Sequence, residues 1–173
     1  MKGVILRCLE KMVVGSAGNQ IWRNILDESG LPRDYIFFAS QDVDDGLSLK
    51  VVGAACNVLN ISLQQAADAF GEYWVTQFAP AMYEPFFKGK SSAREFLLKM
   101  DKVHETVTQN VPGARPPRFD YEWDDEDTLI MTYHSHRGLI DFLVGLIKGV
   151  GKHFGEELRV TKLNDERVEV VFS

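Results

Sequence analysis

At Pro116-Pro117 the hydrophobic rhythm of the chain changes period, and that change limits the folds open to it. Before the prolines, apolar residues recur at three- and four-residue steps, the spacing of helices with one buried face. After them, Phe119-Asp120-Tyr121-Glu122-Trp123 alternates, and so does Thr128 to His136. The acidic Asp124-Asp125-Glu126-Asp127 between these runs reads as the turn of a hairpin. A helix follows with Leu139, Phe142, Leu143, Leu146, Ile147 and Val150 on its apolar side. Two last alternating stretches, Leu158 to Leu163 and Val168 to Phe172, flank Asn164-Asp165-Glu166. The spacing predicts an α+β chain: an N-terminal helical lobe, then a C-terminal lobe with a small antiparallel sheet and a helix packed on it.

Cap chemistry places the helices. Val4, Ile5, Cys8, Leu9, Met12 and Val13 share one face, with Gly15 and Gly18 as stops. Asn19 is an N-cap candidate for the face Ile21, Trp22, Ile25 and Leu26, closed by Gly30. Asp44 or Asp45 caps the helix through Leu59, and Ser62 with Gln65 forms a capping box. Pro80 and Pro85 are expected to break the next stretch. A second capping box, Ser92-x-x-Glu95, opens a helix expected to run to about Asn110. On it Phe96, Met100, Val103 and Val107 form the buried stripe, and His104 falls on that stripe.

The net charge of −6, with no cluster of Lys and Arg, argues against nucleic acid. The start Met1 to Leu6 resembles a signal peptide, but charges return at Arg7, Glu10 and Lys11 without a cleavage site. Leu139 to Ile147 contains Asp141 and is too short to span a bilayer, so no membrane insertion is expected. Cys8 and Cys56 have no metal or redox spacing, which favours a reduced cytoplasmic protein.

A lone His on an apolar helix face is more often a core histidine than a ligand. No His, Cys or carboxylate stands near His104 at zinc spacing, so a multi-ligand site is disfavoured. A macrocycle bringing four nitrogens needs only one protein ligand, which leaves haem as the metal reading of His104. Tyr133, Ser135 and Arg137 are two apart, so on a strand they share one face with Leu129 and Met131. Two hydroxyls and a guanidinium there suit carboxylates. The bland alternatives are a polar edge strand and a rigid Pro116-Pro117 connector. His134, His136 and His153 are read as surface histidines, Asp124 to Asp127 as a solvated loop, and Gly145, Gly149 and Gly151 as close-packing positions.

These pieces, in this order, resemble the H-NOX family, the haem nitric oxide/oxygen-binding domains that include the sensor region of soluble guanylate cyclase. The resemblance rests on Asp101-Lys102-Val103-His104, then Pro116-Pro117-Arg118, then Tyr133-x-Ser135-x-Arg137, and covers nearly the whole chain. It implies one domain over 1–173, with a distal helical lobe over about 1–60 and a proximal lobe over about 61–173, haem b buried between them. His104 resembles the proximal iron ligand, and Tyr133, Ser135 and Arg137 the trio on the propionates. Pro117 resembles the proline that pushes the macrocycle out of plane, with Met100 on the ligand helix beside it. Ile5, Leu9, Trp74 and Phe142 resemble the distal side, and Phe142 stands where oxygen-binding members carry a tyrosine.

The implied activity is sensing of nitric oxide and carbon monoxide, with dioxygen excluded because a phenyl ring donates no hydrogen bond. In the family, nitric oxide weakens or breaks the bond between iron and histidine. The sequence ends at Ser173 directly after the last predicted strand, so the expected output is to a separate partner, a histidine kinase or a cyclic-di-GMP enzyme. A peroxidase-like or nitric oxide-consuming enzyme is the competing reading, and the apolar distal set disfavours it. An oxygen sensor using the Trp74 indole as donor is another, and a haem-free interaction domain with His104 in its core is the third.

Overall fold

Side-chain caps set three of the helix starts. The Asp44 carboxylate accepts from the Leu47 N–H at 3.0 Å. Ser62 and Gln65 close a reciprocal box, Gln65 N–H to Ser62 Oγ at 3.1 Å and Ser62 N–H to Gln65 Oε1 at 2.8 Å. Ser92 Oγ accepts from the Glu95 N–H at 3.1 Å. Each such cap stabilises its helix by about 1 kcal/mol. The computed structural model describes residues 1–173, which divide into two compact units, Met1–Ala66 and Ala67–Ser173.

The first unit is built on α1 (Gly3–Ala17), α2 (Asn19–Glu28) and α3 (Asp45–Leu59). Leu6, Cys8, Val13, Ile25, Leu26 and Val51 are among the fully buried apolar side chains on these helices. Asn19 is the first helical residue rather than the cap; Gly18 holds the cap position and offers no side chain for it.

α4 (Leu63–Tyr73) begins in the first unit and carries the chain into the second. A π-helical turn, Trp74–Phe78, joins it to α5 (Ala79–Met82), and α6 (Glu84–Phe87) follows. As expected at Pro85, the stretch breaks at Tyr83 into two four-residue helices, whereas Pro80 sits in the first turn of α5. The wide turn before it absorbs the crowding and the missing N–H that a proline brings. No single helix is long and apolar enough to cross a membrane.

The sheet has the order β1-β2-β4-β3, all antiparallel, from Arg118–Trp123, Thr128–His134, Leu158–Lys162 and Arg167–Phe172 in chain order. α9 (Ile140–Phe154) supplies Ile140, Ile147 and Val150 to a core shared with Leu129, Met131, Val168 and Val170 of the sheet. β2 lies inside the sheet, so Thr128 through Met131 are all buried and the simple alternation predicted there is lost.

Two helices stand where one was predicted. α7 (Ala93–Leu98) and α8 (Met100–Thr108) are separated at Lys99. The glycines of α9 pack as expected: a Cβ on Gly145 would stand 2.1 Å from the Ala67 carbonyl oxygen, and one on Gly149 would stand 2.4 Å from that of Gly71. α4 and α9 therefore meet backbone to backbone, flanked by Lys148 on Asp68 at 2.8 Å and by a Lys152–Glu72 ion pair.

Candidate functional site

α8 presents Met100, Val103, His104 and Val107 on one side, and all four are half-buried. No residue of this helix is fully buried, so the apolar stripe is real but only partly covered by the protein. The His104 ring is fixed by a hydrogen bond of its Nδ1 to the Pro117 carbonyl oxygen at 3.2 Å, which makes Nδ1 the protonated nitrogen. Nε2 is then the nitrogen with a lone pair to give. Desolvation by burial pushes the His104 pKa down, against the opposing pull of the Pro117 carbonyl and of Asp101. The net downward shift leaves a neutral imidazole at neutral pH, oriented by the Pro117 carbonyl, the form that ligates metals.

Asp101, one turn before His104, ties α8 to the start of β1. Its carboxylate accepts from Arg118 Nε at 2.7 Å, from an Arg118 terminal nitrogen at 2.6 Å and from the Phe119 N–H at 3.0 Å. The Arg118 guanidinium, helped by the Phe119 N–H, holds the Asp101 pKa down at about 2. In the sequence Asp101 and Arg118 stand out only as motif members. Their opposite charge was the available signal, but seventeen residues and a turn separate them.

Phe119 stands at the middle of this corner. Its ring lies 5.4 Å from that of His104 and 6.0 Å from that of Tyr133, its cross-strand partner in the register. Tyr133 is therefore buried close to His104. Ser135 and Arg137 are not on the strand, because β2 ends at His134 and the chain turns over 135–138. Tyr133 thus follows the strand alternation, and Ser135 and Arg137 do not. Gly138, at a φ of 61°, completes that turn in a conformation that side chains resist. Within it the Ser135 hydroxyl accepts from the Arg137 N–H at 3.3 Å, and the Arg137 guanidinium donates to the Arg115 carbonyl at 2.8 Å. Arg137 is thereby drawn to the same connector that supplies Pro117.

A second group of predicted residues is aromatic. Phe142 meets Phe70 edge-on at 5.6 Å, and Trp74 is stacked on Phe70 at 5.8 Å and on Phe78 at 5.3 Å. Ile5 and Leu9 lie on α1 in the first unit, half-buried and buried respectively.

The remaining candidates behave less uniformly. His134 is exposed and bonds Asp120 at 2.7 Å. His153, expected at the surface, is half-buried against Phe87 at 5.1 Å and Phe154 at 4.8 Å, because the last turn of α9 packs on the aromatic core. In the acidic turn Asp125 accepts from the Asp127 and Thr128 N–H groups, and Asp127 pairs with Arg94 at 2.7 Å. No group of three or more His, Cys, Asp or Glu side chains is placed to hold a metal ion.

A family model described as Haem-NO-binding matches residues 2–162. Among curated proteins, the soluble guanylate cyclase gcy-34 of Caenorhabditis elegans is 24% identical over 156 residues, spanning 88% of this chain and 23% of that protein. The soluble guanylate cyclase gcy-35 of the same organism is 22% identical over 173 residues, 98% of this chain and 25% of its own length. The chain thus spans about a quarter of these relatives. The crystal structure of an oxygen-binding H-NOX domain related to soluble guanylate cyclases superposes with a TM-score of 0.84 at 25% identity, covering 100% of this chain and 95% of that one. A structure from a study of heme distortion in the H-NOX family gives 0.86 at 25% identity, with coverage of 100% and 95%.

Proposed function

The chain belongs to the haem-NO-binding family, a family of haem-binding gas-sensor domains, and on that premise we propose that it senses nitric oxide at a ferrous haem b held by His104. The observation that carries the reading is the His104 imidazole itself. It is neutral, turned by the Pro117 carbonyl so that Nε2 is the ligating nitrogen, and set on an apolar face that the protein half covers. A flat apolar group laid against Met100, Val103 and Val107 would complete that burial. The lack of a clustered donor set fits a group that brings its own four nitrogens.

When bound, haem would supply an iron able to take the His104 imidazole and a diatomic gas. The chain's residues do the rest. Arg137, whose guanidinium donates to the Arg115 carbonyl, brings a positive charge suited to a carboxylate arm, and Ser135 and Tyr133 bring neutral hydroxyls. Pro117 contributes a rigid apolar ring next to the carbonyl that orients His104. Ile5, Leu9, Trp74 and Phe142 are assigned to the gas side. Phe142 has no O–H to offer, which selects nitric oxide and carbon monoxide over dioxygen. No acid or base is among these side chains, so the site binds and does not turn over.

Signalling would begin with release of the His104 imidazole, after which α8 would be restrained chiefly by Asp101 on Arg118. The output passes to a partner protein, a histidine kinase or a cyclic-di-GMP enzyme.

The test is His104→Gly with and without imidazole. Wild type is expected to carry a visible haem band, and the variant to lose it without imidazole and regain it with imidazole. Nitric oxide should then alter the amide exchange of α8 in wild type and leave the rescued variant unchanged. Haem retention by His104→Gly without imidazole, or an equal nitric oxide response in the rescued variant, refutes the assignment.

A further inference from the structure

α7 and α8 are fastened to different parts of the second unit. The first N–H of α7, at Ala93, donates to Glu156 Oε1 at 3.0 Å, and Phe96 packs on Phe87 at 4.8 Å and Phe154 at 5.7 Å. α7 is therefore anchored to the far end of α9 and the chain just beyond it. α8 is anchored to the first residues of β1, through Pro117, Arg118 and Phe119. The break at Lys99 lies between the two anchorages.

One side chain is hydrogen-bonded to both sides of that break. The Tyr121 hydroxyl donates to the Leu97 carbonyl of α7 at 2.9 Å and accepts from the Asp101 N–H of α8 at 3.2 Å. In an unbroken helix Leu97 C=O and Asp101 N–H would bond each other, four residues apart. The hydroxyl stands between them and takes both roles, the kind of insertion that sharply kinks a helix. Tyr121 is half-buried, and desolvation pushes its pKa up to about 12, so it stays a phenol able to donate. His104 follows Asp101 by three residues, so the next turn of helix carries the imidazole.

We propose that Tyr121 is a positioning residue for His104: its hydroxyl latches the joint between α7 and α8 and sets how readily the His104 segment leaves its ligating position. The consequence for gas sensing rests on His104 being the haem ligand; the latch itself does not. Tyr121→Phe keeps the ring and its packing and removes only the hydroxyl. Leu97 C=O and Asp101 N–H then face a phenyl edge, and α8 keeps the Asp101 bonds to Arg118 and Phe119 while losing the hydroxyl bridge to α7.

The experiment combines amide exchange with vibrational spectroscopy on wild type, Tyr121→Phe, a variant with 4-aminophenylalanine at position 121, and Glu122→Gln as a control on the same strand. Tyr121→Phe is expected to raise exchange at Asp101 at least tenfold while Leu129 and Val170 in the sheet core stay unchanged. In the haem-loaded ferrous protein it should shift the iron–histidine stretch and speed nitric oxide-triggered release of His104 several-fold. The 4-aminophenylalanine variant, which can still donate to Leu97, should move back toward wild type, and Glu122→Gln should match wild type. Unchanged exchange at Asp101 overturns the latch. Faster exchange with an unchanged stretch and release rate overturns its role in positioning His104. If the chain takes up no haem, the proposed function fails instead, and exchange in the haem-free chain still decides the latch. If Tyr121→Phe does not fold, the 4-aminophenylalanine variant decides: its amine donates to Leu97 but accepts poorly from Asp101, so exchange at Asp101 faster than in wild type is expected, and exchange and release rate equal to wild type would overturn the latch.

Discussion

Gly145→Ala isolates the backbone contact between α4 and α9, and Gly53→Ala is its internal control. Both residues are in helix interiors, so alanine gains about 1 kcal/mol of helix propensity at each. Gly53 is exposed on α3 with nothing within 4 Å of the new methyl, and that gain should appear in full. At Gly145 the methyl stands 2.1 Å from the Ala67 carbonyl oxygen, about 1.3 Å short of the 3.4 Å at which ordinary contact begins. The obstacle is backbone on both sides, with Gly71 and Gly149 in the same seam, so no side chain can swing away. Overpacking of this kind costs up to about 3 kcal/mol. The net expectation is a loss of about 2 kcal/mol for Gly145→Ala against a gain of about 1 for Gly53→Ala. In thermal unfolding followed by circular dichroism on identically prepared protein, that is a fall of about 4–8 °C against a small rise. Because Phe142 is one turn before Gly145 and Phe70 is next to Gly71, the same variant should disturb the Phe70–Phe142 contact. Equal midpoints for the two variants, or a Gly145→Ala protein more stable than wild type, would refute the close-packing argument.

Two other substitutions act near the site. Asp101 has a folded pKa of about 2 against a usual 3.8, so its stabilisation is present above about pH 4 and is lost as pH falls through 2. With Arg118 half exposed, screening reduces this to about 1 kcal/mol. Wild type should therefore lose more stability than Asp101→Asn between pH 4 and 2 in acid titrations; parallel curves exclude the clamp. Phe142→Tyr returns a hydroxyl to the assigned gas side. One hydrogen bond should raise dioxygen affinity by about tenfold, read from the spectrum of the reduced protein in air, and an unchanged spectrum speaks against Phe142 as the selecting residue.

Local chemistry made much of the fold legible. The cap residues Asp44, Ser62 and Ser92 were readable because capping acts over three residues, and the hairpin because alternation and an acidic turn adjoin. The misreadings share a cause. One helix is expected from the Ser92 cap to about Asn110 because the apolar stripe is continuous through Met100, and nothing local announces that a tyrosine twenty residues on interrupts its hydrogen bonds. Tyr133, Ser135 and Arg137 have strand spacing, but Gly138 and the bond from Arg137 to Ser135 turn the chain before the alternation is complete. The partner of His104 Nδ1 was beyond reach for a plainer reason, since it is a backbone carbonyl and every residue has one.

The residues from Arg115 to Tyr121 explain why a short connector matters so much. Arg115 offers its carbonyl to Arg137, Pro117 to the His104 ring, Arg118 its charge to Asp101, Phe119 its N–H to Asp101, and Tyr121 its hydroxyl to Asp101 and Leu97. Proline at 116 and 117 removes two backbone donors and fixes two φ angles, so this segment enters β1 with little freedom before any partner binds. The side chains that would hold a macrocycle on the histidine side are thus positioned by one stiff strand start, whereas Phe70, Trp74, Phe78 and Phe142 are positioned by the π-helical turn and the α4–α9 seam. Distinct supports let the two properties vary separately. On the proposed reading, changes at Phe142 should alter which gas is held without touching the bonds that fix His104, and changes at Asp101 or Tyr121 should alter how His104 is held without touching the aromatic cluster.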